Sequence, residues 1–208
     1  MKKNYIRIIA EIAVFASLAI VLDFIQGPLG NVMFANGGSI GIAMLPILVI
    51  SYRRGLVPGL ICGLVVSLIQ MISGIWIYSA ETSNGFIQVV GPIIQVSCDY
   101  VLAYTVVGFA GAFAKKYANN DKKYLWLILG CVIGGLGKYL CHVISGAFFW
   151  PTEDWGMSST GFAICYNACY CIPNIILCTG IMVIVHKLYP QFLNIEYVSD
   201  LNQEPTQK

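Results

Sequence analysis

One stretch of the sequence places side chains of different chemistry at every fourth position. It contains Lys138, His142, Gly146 and Trp150. Side chains four residues apart share one face of an α-helix, so the spacing predicts a single ridge that carries an ammonium, an imidazole and an indole. The ridge climbs roughly 18 Å at about 1.5 Å per residue. Its glycine has no side chain and would therefore leave space for a flat group between His142 and Trp150.

The residues that flank this ridge make the segment apolar enough to cross a bilayer. They are Tyr139, Leu140, Val143, Ile144, Phe148 and Phe149. A lysine and a histidine inside a membrane are costly unless they face a cavity or a partner. Two interpretations follow: a polar seam between packed helices with an interfacial tryptophan, or a binding site for a small solute.

The composition supports a membrane setting for the ridge. The 208 residues are 58% hydrophobic and 11% charged, with a mean hydropathy of +0.75. Soluble domains carry about 25% charged residues. The apolar runs are unbroken rather than alternating, which favours helices over barrel strands. The predicted fold class is therefore an all-α integral membrane protein, and the net charge of +2 gives no support for nucleic-acid binding.

Six membrane spans are predicted, each near the roughly 20 residues that a bilayer requires. They cover approximately residues 6–26, 38–53, 55–75, 86–114, 124–149 and 159–187. The dipeptide Gly27-Pro28 is expected to end the first span, because proline cannot continue the backbone ladder. The apolar start has no small-residue cleavage site, which indicates an uncleaved first span. Residues 1–187 are thus predicted to form one six-helix membrane domain, followed by a polar cytoplasmic tail, 188–208.

The distribution of Lys and Arg predicts the orientation. Eleven of the twelve basic residues lie on one side, and the connections near 27–37, 76–85 and 150–158 contain none. Cytoplasmic connections carry the excess of positive charge, so both termini are expected in the cytoplasm. The twelfth basic residue is Lys138, inside span five.

The eight cysteines all fall inside predicted spans, and none forms a C-x-x-C pair. They are interpreted as small buried hydrophobic residues rather than as a disulfide framework or a metal site. The sequence thus predicts no metal, no cofactor and no catalytic residue.

Asp99, in span four, is the only acid predicted well within a span. Counted from the cytoplasmic lysines, Asp99 lies about 24 Å and Lys138 about 22 Å into the membrane. Each is therefore the expected partner for the charge of the other, and a buried ion pair alone would explain both. Asp23, near the outer end of span one, is expected only at the membrane interface. Trp76 and Tyr78 fit an outer aromatic belt.

Further polar and aromatic residues reach a similar depth. His142 lies at about 28 Å and Asn167 at about 30 Å, while Phe162 and Trp150 lie at roughly 37 and 40 Å. A salt bridge between Asp99 and Lys138 alone would not require these additional polar and aromatic residues at the same depth. A carboxylate, an amide, an imidazole, an ammonium and aromatic faces together suit a small, flat solute, with a cation accommodated by Asp99.

Two other functions remain open at this stage. One is an ion-coupled secondary transporter for a small cationic or heteroaromatic solute, working through Asp99 and Lys138, although no inverted repeat is evident. The other is a membrane enzyme with His142 as general base, which no nucleophile supports. No phosphate-binding loop of the Gly-x4-Gly-Lys-Ser/Thr type occurs, so any ATP hydrolysis is expected from a partner.

The sequence also resembles a known family over about residues 9–186. The motifs that carry the resemblance are Glu11-Ile12-Ala13, Pro46-Ile47-Leu48, Arg53-Arg54-Gly55-Leu56, the Lys138–Trp150 ridge with Tyr139, and Tyr166-Asn167. They are similar to the thiamine-specific substrate-binding S component of energy-coupling factor (ECF) vitamin importers. The ridge is the most specific of these motifs.

This resemblance implies a six-helix bundle in the bacterial plasma membrane that holds thiamine near its outer surface. The matching positions are Asp99 (a glutamate in the family), Tyr100, Lys138, His142, Gly146, Trp150 and Asn167. The chain departs from the family at Phe162, where the family has a tyrosine, and near Gly37, where a first-loop tryptophan is missing. Phe34 or Met33 is the expected substitute for that tryptophan, and a related vitamin or precursor stays open as ligand.

The resemblance further implies partner subunits. Ala13 and Ser17 match the small-residue motif with which the family contacts a transmembrane scaffold subunit, and that scaffold joins two cytoplasmic ATPases. From composition alone, small residues three and four apart favour packing inside the bundle equally well.

The predicted orientation has a direct test. A cysteine introduced at Glu81 or Glu153 should react with a membrane-impermeant thiol reagent added outside whole cells. A cysteine introduced at Asn119 should react only after permeabilisation, and the parent chain measures the background from native thiols. Reversed labelling would contradict an outward-facing site.

Overall fold

Over the residues that the structure describes, the chain forms helices and no strands. The structure is a computed structural model and describes residues 2–34, 37–79, 84–152 and 155–193. The helices are α1 (Lys2–Met33), α2 (Leu45–Arg54), α3 (Leu56–Ile72), α4 (Gly85–Asn119), α5 (Lys123–Phe149), α6 (Ser159–Leu188) and α7 (Pro190–Leu193). Glu81, Glu153 and residues 194–208 lie outside the described part. The predicted all-α class is confirmed.

Four of these helices contain segments long and apolar enough to cross a membrane: Tyr5–Pro28, Gly85–Asn119, Lys123–Phe149 and Ser159–Leu188. The 17 residues of α3 are apolar but rise only about 26 Å. On α1, the side chains of Ile6, Val14 and Phe24 are 67%, 64% and 62% exposed. Apolar faces turned outward on long helices are stable in lipid, which agrees with a multi-pass membrane protein.

The short helix α2 forms the centre of the bundle. Its 10 residues rise about 15 Å, roughly half of the hydrocarbon thickness, and residues 46–52 are all buried. The Tyr52 hydroxyl donates to the carbonyl of Trp126 in α5 at 2.8 Å. The prediction of a helix from residue 38 is therefore wrong, because helical structure begins only at Leu45.

Side-chain amides replace the missing helical bonds of residues 37–44. The Ala43 N–H donates to Oε1 of Gln26 at 3.1 Å, and the Gly41 N–H donates to Oδ1 of Asn174 at 2.6 Å. Irregular backbone is tolerated at membrane depth only where protein groups satisfy its hydrogen bonds. Gln26 and Asn174 thus anchor this segment between α1 and α6.

Helix α1 continues beyond the dipeptide Gly27-Pro28 to Met33, so the prediction that this dipeptide ends the helix is wrong, although the apolar segment long enough to cross a membrane does end at Pro28. Proline removes one backbone donor, and the helix tolerates this loss near its end. The Phe34 N–H still donates to the Gly30 carbonyl at 2.8 Å and closes the final turn. The extra turn brings Phe34 to the end of α1.

Helix α4 changes its pitch twice. It is a regular α-helix from Gly85 to Val96, widens to a π-turn over Ser97–Leu102, and tightens to a 3₁₀ helix over Val106–Phe113. A 3₁₀ helix rises about 2.0 Å per residue instead of 1.5 Å. Both irregular segments alter the depth and direction of the side chains that precede them.

Arg53 and Arg54, the last two residues of α2, bond to residues of α1 and α7. The Glu11 carboxylate lies 2.5 Å from Nη2 of Arg54 and 3.4 Å from Nε of Arg53. Arg53 also donates to the Phe192 carbonyl and stacks on its ring, 4.9 Å from the centroid. Leu193 is fully buried. The first residues of the predicted tail therefore pack against the bundle.

Candidate functional site

A cavity of about 1330 Å³ lies among the helices and their connections. It is lined by all eight residues predicted as a binding site: Asp99, Tyr100, Lys138, His142, Gly146, Trp150, Phe162 and Asn167. These residues come from α4, α5 and α6 and from the residue after α5. The structure therefore brings the predicted set together, while its binding role stays a prediction.

The ridge on α5 forms one wall, and Gly146 sets how closely α6 approaches it. A Cβ atom on Gly146 would meet Cβ of Ala163 at 3.1 Å and Nδ2 of Asn167 at 3.4 Å. The glycine thus permits close helix packing at this level. As a result the Asn167 amide reaches the His142 carbonyl at 3.4 Å.

Asp99 is held by donors from three directions. Its Oδ2 atom accepts hydrogen bonds from Nε2 of Gln95 at 2.8 Å, Oγ of Ser145 at 2.6 Å and Nε1 of Trp150 at 3.1 Å. Its Oδ1 atom lies 3.6 Å from Nδ1 of His142. Asp99 therefore restrains the indole N–H of Trp150, and its Oδ1 atom has fewer close partners than Oδ2.

The expected ion pair between Asp99 and Lys138 is wrong. Among the described residues, the ionisable partner of Asp99 is His142. The 3₁₀ segment adds about 4 Å to the depth of Asp99 and brings it to the level estimated for His142. Residue counting from Lys115 assumed a uniform helix and missed this shift.

Lys138 instead rests on an aromatic ring. Its Nζ atom lies 3.6 Å from the ring centroid of Tyr104, a cation–π contact. The Tyr104 hydroxyl donates to Oδ1 of Asp23 at 2.7 Å. Lys138 is thus linked through a tyrosine to a carboxylate of α1 that the sequence analysis had placed at the membrane interface.

Asp23 also lines the cavity, a placement that the sequence analysis did not predict. Its carboxylate also accepts from Nε2 of Gln70 at 2.8 Å and from Nε2 of Gln26 at 3.2 Å. The sequence did contain a signal for this placement of Asp23, because an acid within an apolar helix is expected to face a polar interior. Gln95 and Ser145 were missed as well, and Ser145 has no distinguishing sequence signal.

Aromatic rings complete the walls. Tyr78, predicted as part of the aromatic belt, lines the cavity and meets Trp150 edge to face, with centroids 6.2 Å apart. Phe162 stacks with Tyr166 at 5.2 Å. Trp76 contributes to the lining, but its side chain is 81% exposed, in keeping with the belt.

Of the two substitutes predicted for the missing first-loop tryptophan, Phe34 reaches the cavity. Its ring lies 5.6 Å from that of Tyr170, whereas Met33 is 60% exposed and does not line the cavity. The Tyr166 hydroxyl donates to the Gly37 carbonyl at 3.0 Å. The start of the first connection is therefore held against α6.

The charge of the cavity favours a cation. Among the described residues, its lining contains two carboxylates, Asp23 and Asp99, and one ammonium, Lys138. With His142 neutral, the balance is one net negative charge in a medium of low dielectric constant. A bound monocation neutralises it, and aromatic faces stabilise such a cation further. In the described part of the chain, no group of three or more His, Cys, Asp or Glu residues could hold a metal.

Comparisons with known proteins agree with one another. The family model described as Thiamine transporter protein (Thia_YuaJ) matches residues 9–194. The chain is similar to Thiamine transporter ThiT of Bacillus subtilis strain 168, with 31% identity over 198 residues that cover 92% of this chain and 95% of the relative. Thiamine transporter ThiT of Lacticaseibacillus paracasei is 30% identical over 150 residues, 69% of this chain and 68% of the relative.

The fold is similar to a solved structure as well. That structure is described as ThiT from Listeria monocytogenes, and the TM-score is 0.71 at 26% sequence identity. The alignment covers 92% of this chain and 99% of the solved chain. The helical arrangement is therefore shared over nearly the whole length of both proteins.

The cluster around Asp23 can be tested without any ligand. Asp23→Asn places an amide nitrogen where the carboxylate accepted from Gln70 or Tyr104, so a buried donor loses its partner. We expect a loss of about 1–3 kcal/mol in unfolding free energy, measured as a lower melting temperature in detergent. Asp121→Asn, in the exposed turn before α5, is the matched control. Equal melting temperatures for both variants would contradict a structural role for the Asp23 cluster.

Proposed function

Because this chain belongs to the thiamine transporter family, we propose that it captures thiamine at the membrane and delivers it for uptake as the S component of an ECF-type importer. The charge balance of the cavity carries the proposal. Thiamine is a monocation with a hydrogen-bonding aminopyrimidine and a flat thiazolium ring. A cavity with one net negative charge and aromatic walls complements all three properties.

The proposed binding residues are the eight predicted residues that line the cavity; seven are at positions that match the family pattern, and Phe162 stands where the family has a tyrosine. In this proposal Trp150 supplies a face for the thiazolium ring, and Asp99 holds that face in place through the indole N–H. Lys138 has no carboxylate partner among the described residues, so its N–H groups are available to an acceptor on the pyrimidine. Asn167 and His142 offer further donors and acceptors on the α5–α6 side.

The cavity volume is consistent with a ligand and a mobile cover. About 1330 Å³ exceeds the roughly 300–1,000 Å³ typical of small-molecule pockets. Phe34, at the end of α1, is the proposed replacement for the family's loop tryptophan, since it already lies on the ring of Tyr170. Closure of the first connection over the ligand would reduce the open volume.

The proposed assembly places both termini in the cytoplasm, where a scaffold subunit and two ATPases bind and supply the energy of uptake. Ala13 and Ser17 support this interface, because both are exposed on α1 whereas Ile12 and Ala16 of the same helix are buried. Their small side chains are therefore not used for packing inside the bundle. The bacterial sources of the relatives support a bacterial plasma membrane as the location.

An ion-coupled secondary transporter is not favoured by the geometry. That alternative relied on Asp99 and Lys138 acting as a pair, and the two do not contact each other. A secondary transporter would accumulate its solute along an ion gradient without partner subunits, whereas an isolated S component binds the solute only.

Binding through Trp150 is the first test. Thiamine should quench the indole emission of the purified protein, and Trp150→Ala should weaken binding by about 1–3 kcal/mol because a cation–π and stacking face is lost. Titration calorimetry gives the affinity independently of fluorescence. The matched control is Trp126→Phe, at the opposite end of the bundle. Undiminished affinity in Trp150→Ala would contradict the proposed contact.

Capture and transport should separate at α1. Replacing Ala13 and Ser17 together by Leu should push a docked helix away without touching the cavity. The variant should bind thiamine with parental affinity, fail to co-purify with scaffold and ATPases, and support no uptake of labelled thiamine in cells. Ile176→Trp, which adds bulk to an exposed position of α6, is the control. Normal uptake by the double variant would show that this face of α1 does not contact the scaffold subunit.

A further inference from the structure

Residues 76–79, between α3 and α4, run along the cavity without regular structure. We call residues 76–79 the outer strap; all four line the cavity. The Trp76 side chain is 81% exposed and that of Ile77 is 57% exposed. Apolar burial of these two side chains therefore does little to hold the outer strap in place, which leaves hydrogen bonds and the ring contacts of Tyr78 to position it.

Three backbone groups of the outer strap bond to side chains of α4. The Trp76 N–H donates to the Tyr100 hydroxyl at 2.8 Å. The other two groups bond to Gln95: its Oε1 atom accepts from the Tyr78 N–H at 3.1 Å, and its Nε2 atom donates to the Trp76 carbonyl at 3.2 Å. Gln95 is fully buried. A buried glutamine that grips two points of an exposed connection acts as an anchor.

The same amide also bonds to the carboxylate in the cavity. Nε2 of Gln95 donates its second hydrogen to Oδ2 of Asp99 at 2.8 Å. Both amide hydrogens are therefore committed, one to the outer strap and one to Asp99. No other residue in the described part of the chain forms hydrogen bonds both to the outer strap and to Asp99.

The outer strap and Asp99 converge again on Trp150. Asp99 accepts the indole N–H at 3.1 Å, and Tyr78 packs edge to face on the indole with centroids 6.2 Å apart. Tyr78 also contacts Phe149 at 5.5 Å. Gln95 thus fixes both groups that determine where the Trp150 ring lies, although it does not line the cavity itself.

We propose that Gln95 is a positioning residue that locks the outer strap onto Asp99 and thereby retains bound thiamine in the cavity. The inference rests on the proposed function. When the lock is intact, Tyr78 and Trp150 form a closed wall over the ligand. When it is broken, the wall loosens and the ligand leaves sooner, while its access from outside is not obstructed. The expected effect lies in the dissociation rate rather than in the association rate.

Gln95→Glu tests the lock with almost no change in side-chain volume. It keeps the acceptor for the Tyr78 N–H but replaces the donor by an oxygen that faces Asp99 and the Trp76 carbonyl. Like charges and facing acceptors repel strongly in a buried site. Thiamine association and dissociation are measured by stopped-flow indole quenching, and folding by the melting temperature without ligand. Gln191→Glu, at an exposed position of α7, adds the same charge as a control.

We expect dissociation from Gln95→Glu to be at least tenfold faster than from the parent, association to change less than threefold, and Gln191→Glu to behave as the parent. Dissociation within twofold of the parent would overturn the inference. So would a loss confined to association. If the parent itself binds no thiamine, the proposed function fails instead.

If Gln95→Glu does not fold, a second variant tests whether the outer strap retains bound thiamine. Tyr78→Ala lies on the outer strap, keeps the backbone bonds to Gln95 and removes only the ring against Trp150. Dissociation at least threefold faster supports the lock, and an unchanged dissociation rate overturns it.

Discussion

The burial of charge in a medium of low dielectric constant is the constraint on which this structure depends. A carboxylate inside a bundle of apolar helices is stable only when donors surround it. Asp99 meets this requirement with hydrogen bonds from Gln95, Ser145 and Trp150. Because these donors come from two helices and the residue that follows one of them, satisfying one carboxylate also fixes the positions of the elements that form the cavity.

The second carboxylate, Asp23 of α1, is also surrounded by hydrogen-bond donors. Asp23 is bonded by Gln26, Gln70 and Tyr104, and the Tyr104 ring supports the ammonium of Lys138. Among the described residues, two satisfied acids and one ammonium give the cavity lining one net negative charge when His142 is neutral. The polar groups that stabilise the bundle thus also favour a cation in the cavity.

The sequence allowed part of the cavity lining to be predicted where local spacing determines geometry. The ridge of Lys138, His142, Gly146 and Trp150 follows from helical periodicity, and all four line the cavity. Depth counting failed for the pairing of Asp99, because it gives neither the azimuth of a side chain nor the pitch changes of α4. The continuation of α1 past Pro28 and the irregular segment before α2 depend on amides from distant helices, which no local pattern encodes.

The central claim is that this cavity holds thiamine, and mass spectrometry of the small molecules that co-purify with the detergent-solubilised protein tests it most directly. The account predicts thiamine at close to one molecule per chain, either as purified from cells or after incubation with the vitamin. It also predicts that a competing monocation without the aminopyrimidine does not displace it. A protein that retains a different solute, or that remains free of thiamine after incubation, would contradict the account.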